Sequence, residues 1–239
     1  IQIRDKKGDQ EPNLKNLIID CGCNSKKEVE ALGIHVGSVV TYEDELMMLN
    51  NKYFVGRALD NRIGGFMIAE VARILKEKKK KLNFGLYIVN AVQEEIGLRG
   101  AEMIAKKIMP HVALVTDVCH DTQSPLYNKT IVGDIRCGKG PVLSYGPAVQ
   151  NNLLEMIMKT AKTVKIPYQV KAVSEQTNTD TEAFAYSMEG VASALISLPL
   201  KYMHTTVETA HKDDIENLIK LMYEFLIQLK PGYDFRYIK

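Results

Sequence analysis

The sequence predicts an α/β fold in which a mostly parallel sheet is covered by helices on both faces. Two observations support this fold class. Amphipathic helical segments recur after Arg57, and the apolar runs between them do not alternate with polar residues. Uninterrupted apolar strands are typical of sheets that are buried on both faces, and their alternation with helices is typical of α/β domains. With 239 residues and 46% hydrophobic content, the chain is long enough to bury a full core.

The first 55 residues have a different sequence pattern, which is typical of a small β-rich unit or part of one. Short apolar runs between turns predict strands at residues 17–23, 38–49 and 52–56. A short helix is predicted after the first of them, because Ser25 and Glu28 have the spacing of a capping box and Gly33 can end the helix. We therefore divide the chain into a partial β-rich domain, residues 1–55, and an α/β domain, residues 56–239.

Three helices and three strands are predicted within the α/β domain. One helix begins near Asp60 and is closed by the basic run at residues 78–81, a second covers residues 152–164, and the third covers residues 215–229. The apolar face of the first helix consists of Ile63, Met67, Val71 and Ile74, and that of the last consists of Ile215, Leu218, Ile219, Met222, Leu226 and Leu229. The predicted strands are "FGLYIVNAV" (84–92), "HVALVT" (111–116) and "ASALISL" (192–198).

Charge and cysteine content narrow the classes of partner. The 31 basic residues nearly balance the 29 acidic ones, for a net charge of +2, which gives no electrostatic reason to expect nucleic acid or an anionic membrane. No apolar run is long enough to span a bilayer, and no secretory leader opens the chain. The four cysteines form no CxxC pair, which favours free thiols in a reducing compartment. We expect a cytoplasmic protein that acts on a small or neutral molecule.

Acidic residues and a histidine follow the predicted strands. Glu94 and Glu95 come directly after the first strand, Asp117 follows the second, and His204 lies shortly after the third, while Asp60 precedes a helix. In open α/β sheets, ligands bind beyond the carboxyl ends of the strands. If these strands are neighbours, the carboxylates and the imidazole converge on one place.

A divalent cation would explain such a cluster. Like charges in a dry pocket raise one another's pKa, and a bound cation removes the conflict. Carboxylates with one histidine match the ligand preferences of zinc, cobalt or manganese. Because consecutive extended residues point in opposite directions, one of the adjacent glutamates can bind metal while the other faces the substrate.

Five motifs in order carry a family resemblance. "ALDNRIGG", "VQEEIGLRGA", "DVCHDTQSP", "GKGPVL" and "PLKYMHTTVE" resemble the glutamyl aminopeptidase and tetrahedral (TET) aminopeptidase family of dinuclear metallopeptidases, over residues 56–229. The stretch "LIIDCGCNSKKEVEALGIHVGSVV" resembles part of the oligomerisation domain inserted in that family. The resemblance implies a phosphorylase/hydrolase-like aminopeptidase fold, two divalent metal ions, and self-association as dimers or dodecamers.

The resemblance also implies a role for each candidate residue. Asp60 would bridge the two ions and be followed by a cis peptide bond to Asn61. Glu95 and His204 would complete the protein ligands of one ion, and Asp117 would bind the other. Glu94 would be the general base that takes a proton from a water bridging the metals, in the hydrolysis of amino-terminal residues from short peptides.

Two other functions remain open at this stage. A glycoside hydrolase also needs paired carboxylates but no metal, so sensitivity to a chelator separates it from a metallopeptidase. A metal-deficient relative or fragment could instead act as an assembly module. Asp180 matches a family motif near the site, yet a helix N-cap role for Thr179 or Asp180 is an equal alternative. His120 lies close to Asp117 in sequence and is the one other histidine of interest.

One expected ligand is missing from the amino-terminal part of the chain. The family takes a histidine for the second ion from a His-x-Asp motif near its amino terminus, and the chain starts at Ile1 without one there. We expect this motif upstream of Ile1. The 239 residues alone are therefore expected to bind at most one ion tightly.

Overall fold

The computed structural model describes residues 17–43, 45–124 and 127–235. The chain divides into two compact units, residues 1–43 and 44–239. In the first unit, α1 spans Lys26–Ala31, and its N-cap Ser25 accepts the Glu28 N–H at 3.3 Å. The predicted helix and its cap are thus confirmed. The strand predicted at residues 17–23 is wrong, because these residues are mostly exposed and pair with no strand in the described chain.

The described residues of the second unit form a seven-stranded sheet and six helices. The strands are β1 (Met47–Leu49), β2 (Tyr53–Gly56), β3 (Val112–His120), β4 (Val142–Tyr145), β5 (Gln169–Ala172), β6 (Ala192–Lys201) and β7 (Glu208–His211). The helices are α2 (Leu59–Glu77), α3 (Arg99–Ile108), α4 (Lys129–Val132), α5 (Asn151–Thr163), α6 (Asp180–Ala185) and α7 (Lys212–Gln228). None of the described helices has both the length and the apolarity needed to cross a bilayer.

The long strand β6 organises the sheet. It runs parallel to β3 on one edge, from the Val112–Ala192 pair to the His120–Leu200 pair, and antiparallel to β4 and β7 on the other edge. The β1–β2 hairpin joins β7 antiparallel, and β5 joins β4 in parallel. The α/β class is confirmed, but the sheet is mixed and not mostly parallel. Short connections explain two of the four antiparallel pairs, β1–β2 and β6–β7, since turns as short as residues 50–52 and 202–207 can join only antiparallel strands.

The core confirms the helices that the apolar periodicity predicts. Helix α2 buries Ile63, Met67 and Val71, and α5 and α7 bury their own apolar faces. Helix α7 packs against both α2 and α5, while α3 packs against α6. The inner residues of β6 are all buried, as expected for a strand covered on both faces. The assignment of residues 1–55 to an oligomerisation domain stays a prediction.

Residues 84–92 are predicted as a buried strand, and this prediction is wrong for the described structure. The segment pairs with no strand among the described residues, and Tyr87 and Val92 are 66% and 67% exposed. A cavity of about 1000 Å³ is lined by this segment on one side and by β3 on the other. An apolar run shows that a segment can be buried, but a strand also requires a hydrogen-bonded neighbour.

Candidate metal centre and active site

Three of the predicted ligands lie together at one end of the sheet. His204 Nε2 is 3.1 Å from Asp60 Oδ2 and 3.4 Å from Glu95 Oε2. One donor atom from each residue lies within 4.8 Å of the others. Two carboxylate oxygens and an imidazole nitrogen form a donor set that suits zinc, cobalt or manganese. The residues present therefore fit a divalent cation.

Asp60 is held by the irregular start of α2. The Asp60–Asn61 peptide bond is cis, as the resemblance implied. The Asn61 side chain donates to the Thr116 carbonyl at 2.9 Å and accepts the Gly64 N–H at 2.9 Å. A side chain at Gly64 would collide with the Asn61 carboxamide, which explains the glycine at this position of the helix. These contacts tie the start of α2 to β3, one residue before Asp117.

His204 is held by a turn and by a glutamate that sequence analysis missed. His204 has a left-handed backbone, with φ of 63°, between β6 and β7. Glu208 accepts the His204 N–H at 2.7 Å through Oε1 and the Asp60 N–H at 3.0 Å through Oε2. Glu208 is 2% exposed and lies on β7. One carboxylate thus fixes the backbones of two candidate ligands, and the glutamate that ends "PLKYMHTTVE" was the available sequence signal.

Burial raises the carboxyl pKa values of Asp117 and Glu94. Burial raises the pKa of Asp117 to about 8. The Val118 N–H, which donates to Asp117 Oδ1 at 2.8 Å, lowers this pKa, whereas the negative charges of Glu94 and Asp60 raise it further. Burial also raises the pKa of Glu94 to about 7, with a further increase from the charge of Glu95. A carboxylate with a pKa near neutrality is suited to accept and return a proton.

The same electrostatic conflict affects the candidate ligand Asp60. Burial raises its pKa to about 6, and the charges of Glu95 and Glu208 raise it further, while His204 opposes the shift. Perturbed pKa values of this kind concentrate at functional sites. A bound cation would stabilise all of these carboxylates in their ionised form.

Asp180 lines the cavity of about 1000 Å³ next to β3 but does not cap its helix, α6. Thr179 is the N-cap of α6 and forms a capping box with Glu182, so the cap belongs to Thr179. Asp180 Oδ1 is buried and makes no hydrogen bond within the described residues. Burial raises the pKa of Asp180 to about 6.

Two other histidines lie outside the ligand cluster. His120 ends β3, with its ring 5.7 Å from that of Tyr127, and is not among the grouped donor atoms. His211 and Asp213 have the His-x-Asp spacing, which sequence analysis did not consider. The structure places them at the start of α7, where His211 Nδ1 accepts the Asp213 N–H at 3.2 Å. The imidazole ring of His211 packs edge-on against the ring of Tyr53. His211 is therefore a helix-capping and packing residue.

Comparisons with known proteins find similarity to aminopeptidases. The sequence profile of the M42 glutamyl aminopeptidase family matches residues 2–221. A lysyl aminopeptidase from Pyrococcus furiosus is 37% identical over 216 residues, which cover 90% of this chain and 60% of the relative. The structure of an aminopeptidase from the archaeon Desulfurococcus kamchatkensis matches with a TM-score of 0.86 at 31% identity, covering 96% of this chain and 64% of that one.

A third comparison concerns assembly. The Pyrococcus horikoshii TET1 peptidase, which can assemble into a tetrahedron or a large octahedral shell, matches with a TM-score of 0.69 at 26% identity and covers 93% of this chain. The chain spans about 60% of the length of the curated relatives it matches. The family profile nevertheless covers nearly the whole chain. All five motifs that carry the resemblance lie within the matched residues. The chain belongs to the M42 glutamyl aminopeptidase family.

Proposed function

We propose that the protein is a metal-dependent aminopeptidase that removes amino-terminal residues from short peptides. The observation that carries the proposal is the meeting of Asp60, Glu95 and His204 within ligand distance of one another. Glu94, the neighbour of one of these ligands, has a pKa raised to about 7. Family membership supports the same reaction.

Each residue has a distinct task in this proposal. Asp60, Glu95 and His204 would hold one divalent ion, and Asp60 with Asp117 would contribute to a second. A bound ion would supply Lewis-acid chemistry, which polarises a peptide carbonyl and makes water more acidic. Glu94 accepts a proton from the attacking water and returns it to the departing amine.

The adjacent glutamates provide the test. Glu94→Gln should keep metal content nearly unchanged and remove most peptidase activity, since an amide cannot accept the proton. Glu95→Ala should lose metal. The control is Glu102→Gln, an exposed glutamate on α3 that should change neither property. Metal content is measured after dialysis by inductively coupled plasma mass spectrometry, and equal loss of metal in both site variants would show that the division of roles is wrong.

A chelator separates this proposal from glycoside hydrolysis. Removal of metal should abolish peptidase activity, and zinc, cobalt or manganese should restore it. Hydrolysis of a glucan that persists in the chelator would instead favour paired carboxylates acting without metal.

The proposal also includes self-association of the protein and its location in the cytoplasm. The name of the Pyrococcus horikoshii relative supports assembly of related chains into closed shells. We propose that the amino-terminal unit takes part in dimers or dodecamers of the whole protein, with peptides as substrates. Light scattering that finds only monomer would contradict the assembly.

A further inference from the structure

Two cysteines lie one residue apart in the turn that precedes α1. Cys21 is exposed and Cys23 is half-buried, and both belong to the amino-terminal unit. The Cys23 Sγ donates to the Cys21 carbonyl at 3.8 Å, so the second sulfur is folded back over the first residue. The other two cysteines belong to the second unit, where Cys119 is buried and Cys137 is half-buried. Cys21 and Cys23 are therefore a pair of neighbouring thiols at the surface of their unit.

Hydrogen bonds hold the backbone on both sides of this pair. The Gly22 N–H donates to Asp20 Oδ1 at 2.8 Å, and Gly22 has a φ of 73°, a left-handed conformation that glycine adopts without steric cost. On the other side, the Asn24 N–H donates to Glu28 Oε2 at 2.8 Å, in the first turn of α1. Because the backbone is already bent and fixed here, joining the two side chains costs little further conformational entropy.

The two thiols act on each other, and no third donor joins them. Partial burial raises the pKa of Cys23, and the Cys21 side chain raises it further through a hydrogen bond and through its charge. A structural zinc site takes four ligands, whereas these two sulfurs are grouped with no further metal-binding side chain in the part of the chain that the structure describes. A disulfide needs only the two sulfurs, so oxidation is the chemistry that this pair suits best.

We propose that Cys21 and Cys23 form a redox site, which a small disulfide of the glutathione class oxidises to an intramolecular disulfide. The exposed Cys21 attacks as a thiolate on one sulfur of the reagent, whose S–S bond breaks, and the first glutathione leaves as a thiol. The Cys23 sulfur then attacks the Cys21 sulfur of the mixed disulfide and loses its proton, and the second glutathione leaves. In total, two electrons and two protons pass from the protein to the reagent.

The resulting disulfide is expected to be reversible. A ring closed between residues that are one position apart is small and strained, and strained or exposed disulfides are the ones that thiols reduce readily. An excess of reduced glutathione should therefore restore both thiols. The site does not depend on the proposed aminopeptidase function, and none of its readouts uses peptidase activity.

Mass spectrometry of the full chain tests the redox site. The reduced protein is incubated with oxidised glutathione, and samples are quenched with acid. We expect the chain to lose two hydrogen atoms without a lasting glutathione adduct, and a proteolytic map to place this loss in the peptide that contains Cys21 and Cys23. Cys23→Ser should accumulate a glutathione adduct on Cys21. Cys21→Ser should form its adduct more slowly, because Cys23 is half-buried.

The control is Cys137→Ser, which removes a thiol from the second unit and should lose the same two hydrogen atoms as the wild type. Stable glutathione adducts on both Cys21 and Cys23 of the wild type, or thiols that stay unreacted, overturn the redox site. Chains that become cross-linked through these cysteines on non-reducing electrophoresis overturn the intramolecular assignment. A disulfide that persists in excess reduced glutathione overturns its reversibility.

Discussion

Replacement of Asp117 by asparagine should stabilise the metal-free protein at pH 8. Asp117 is 7% exposed on β3. Burial raises its pKa from 3.8 to about 8; the Val118 N–H opposes the shift, and the charges of Glu94 and Asp60 increase it. An asparagine Oδ1 can still accept the Val118 N–H, so the substitution removes the charge and keeps the local hydrogen bond.

The sign and size of the effect follow from proton binding. A native pKa above the unfolded value means that the native state binds the proton more tightly, so the free energy of unfolding falls as the pH rises from about 4 to about 8. Each tenfold change in proton affinity corresponds to about 1.4 kcal/mol, which gives an upper limit of about 5 kcal/mol at pH 8. Because water and polar neighbours relax around the charge, we expect Asp117→Asn to gain about 2 to 4 kcal/mol at pH 8 and less than about 1 kcal/mol at pH 5.

Urea unfolding in a chelator measures this gain. Unfolding is followed by circular dichroism at pH 5, 6.5 and 8 for the wild type, Asp117→Asn and the control Asp134→Asn. The control makes the same exchange at an exposed carboxylate whose pKa is lowered by Arg136, so it should bring no gain at any pH. Equal stability of Asp117→Asn and the wild type at pH 8 would refute the reasoning, as would a gain of the same size at pH 5.

Three further predictions concern the supports of the site and its charge. Glu208→Gln should lower metal affinity about 10- to 100-fold in a zinc competition titration, because its amide nitrogen would face the N–H of Asp60 or His204; unchanged affinity would contradict the support role. Gly64→Ala should cost about 1 to 3 kcal/mol in urea unfolding, since the new methyl group meets the Asn61 carboxamide, and a neutral result would show that this turn can shift. Zinc should raise the thermal midpoint more at pH 8 than at pH 5.5, because ligand carboxylates must be ionised to bind; equal increases would argue against carboxylate ligands.

The apolar periodicity of the helices predicted most of the buried helix faces, whereas the sequence did not predict which strands pair. Met67 and its helical neighbours form a continuous apolar face, which fixes the buried side of α2 without knowledge of its partners. The strands β4 and β5 were missed because each has only four residues and carries polar side chains. Residues 84–92 have the composition of a buried strand, but composition alone does not supply the neighbouring strand that pairing requires.

The structure brings together three of the residues that the sequence singled out, Asp60, Glu95 and His204, but the sequence did not show how the chain holds them. Asp117 lies in the carboxyl-terminal half of β3, and His204 lies in the turn that follows the paired strand β6, on the side of the sheet where the rule for α/β sheets expects ligands. Glu94 and Glu95 reach the same place from the turn before α3, where the Gly100 N–H donates to the Val92 carbonyl at 3.0 Å. This turn is a local hydrogen-bonded structure, so the carboxylates are positioned although the residues before them form no strand.

Backbone donors separate the structural carboxylates of this protein from those assigned to the metal. The buried structural group consists of Asp121, Asp214 and Glu208, each of which accepts two backbone N–H groups. These donors offset part of the cost of burying the carboxylates; at Asp214 the Gly138 and Gly140 N–H groups lower the pKa, but burial outweighs them and leaves it raised. Asp60 has an ion pair with His204 but is repelled by Glu95, and Asp117 has a single backbone donor. Carboxylates with fewer compensating donors gather at one place among the described residues, and a divalent cation at that place, as we propose, would supply the missing positive charge.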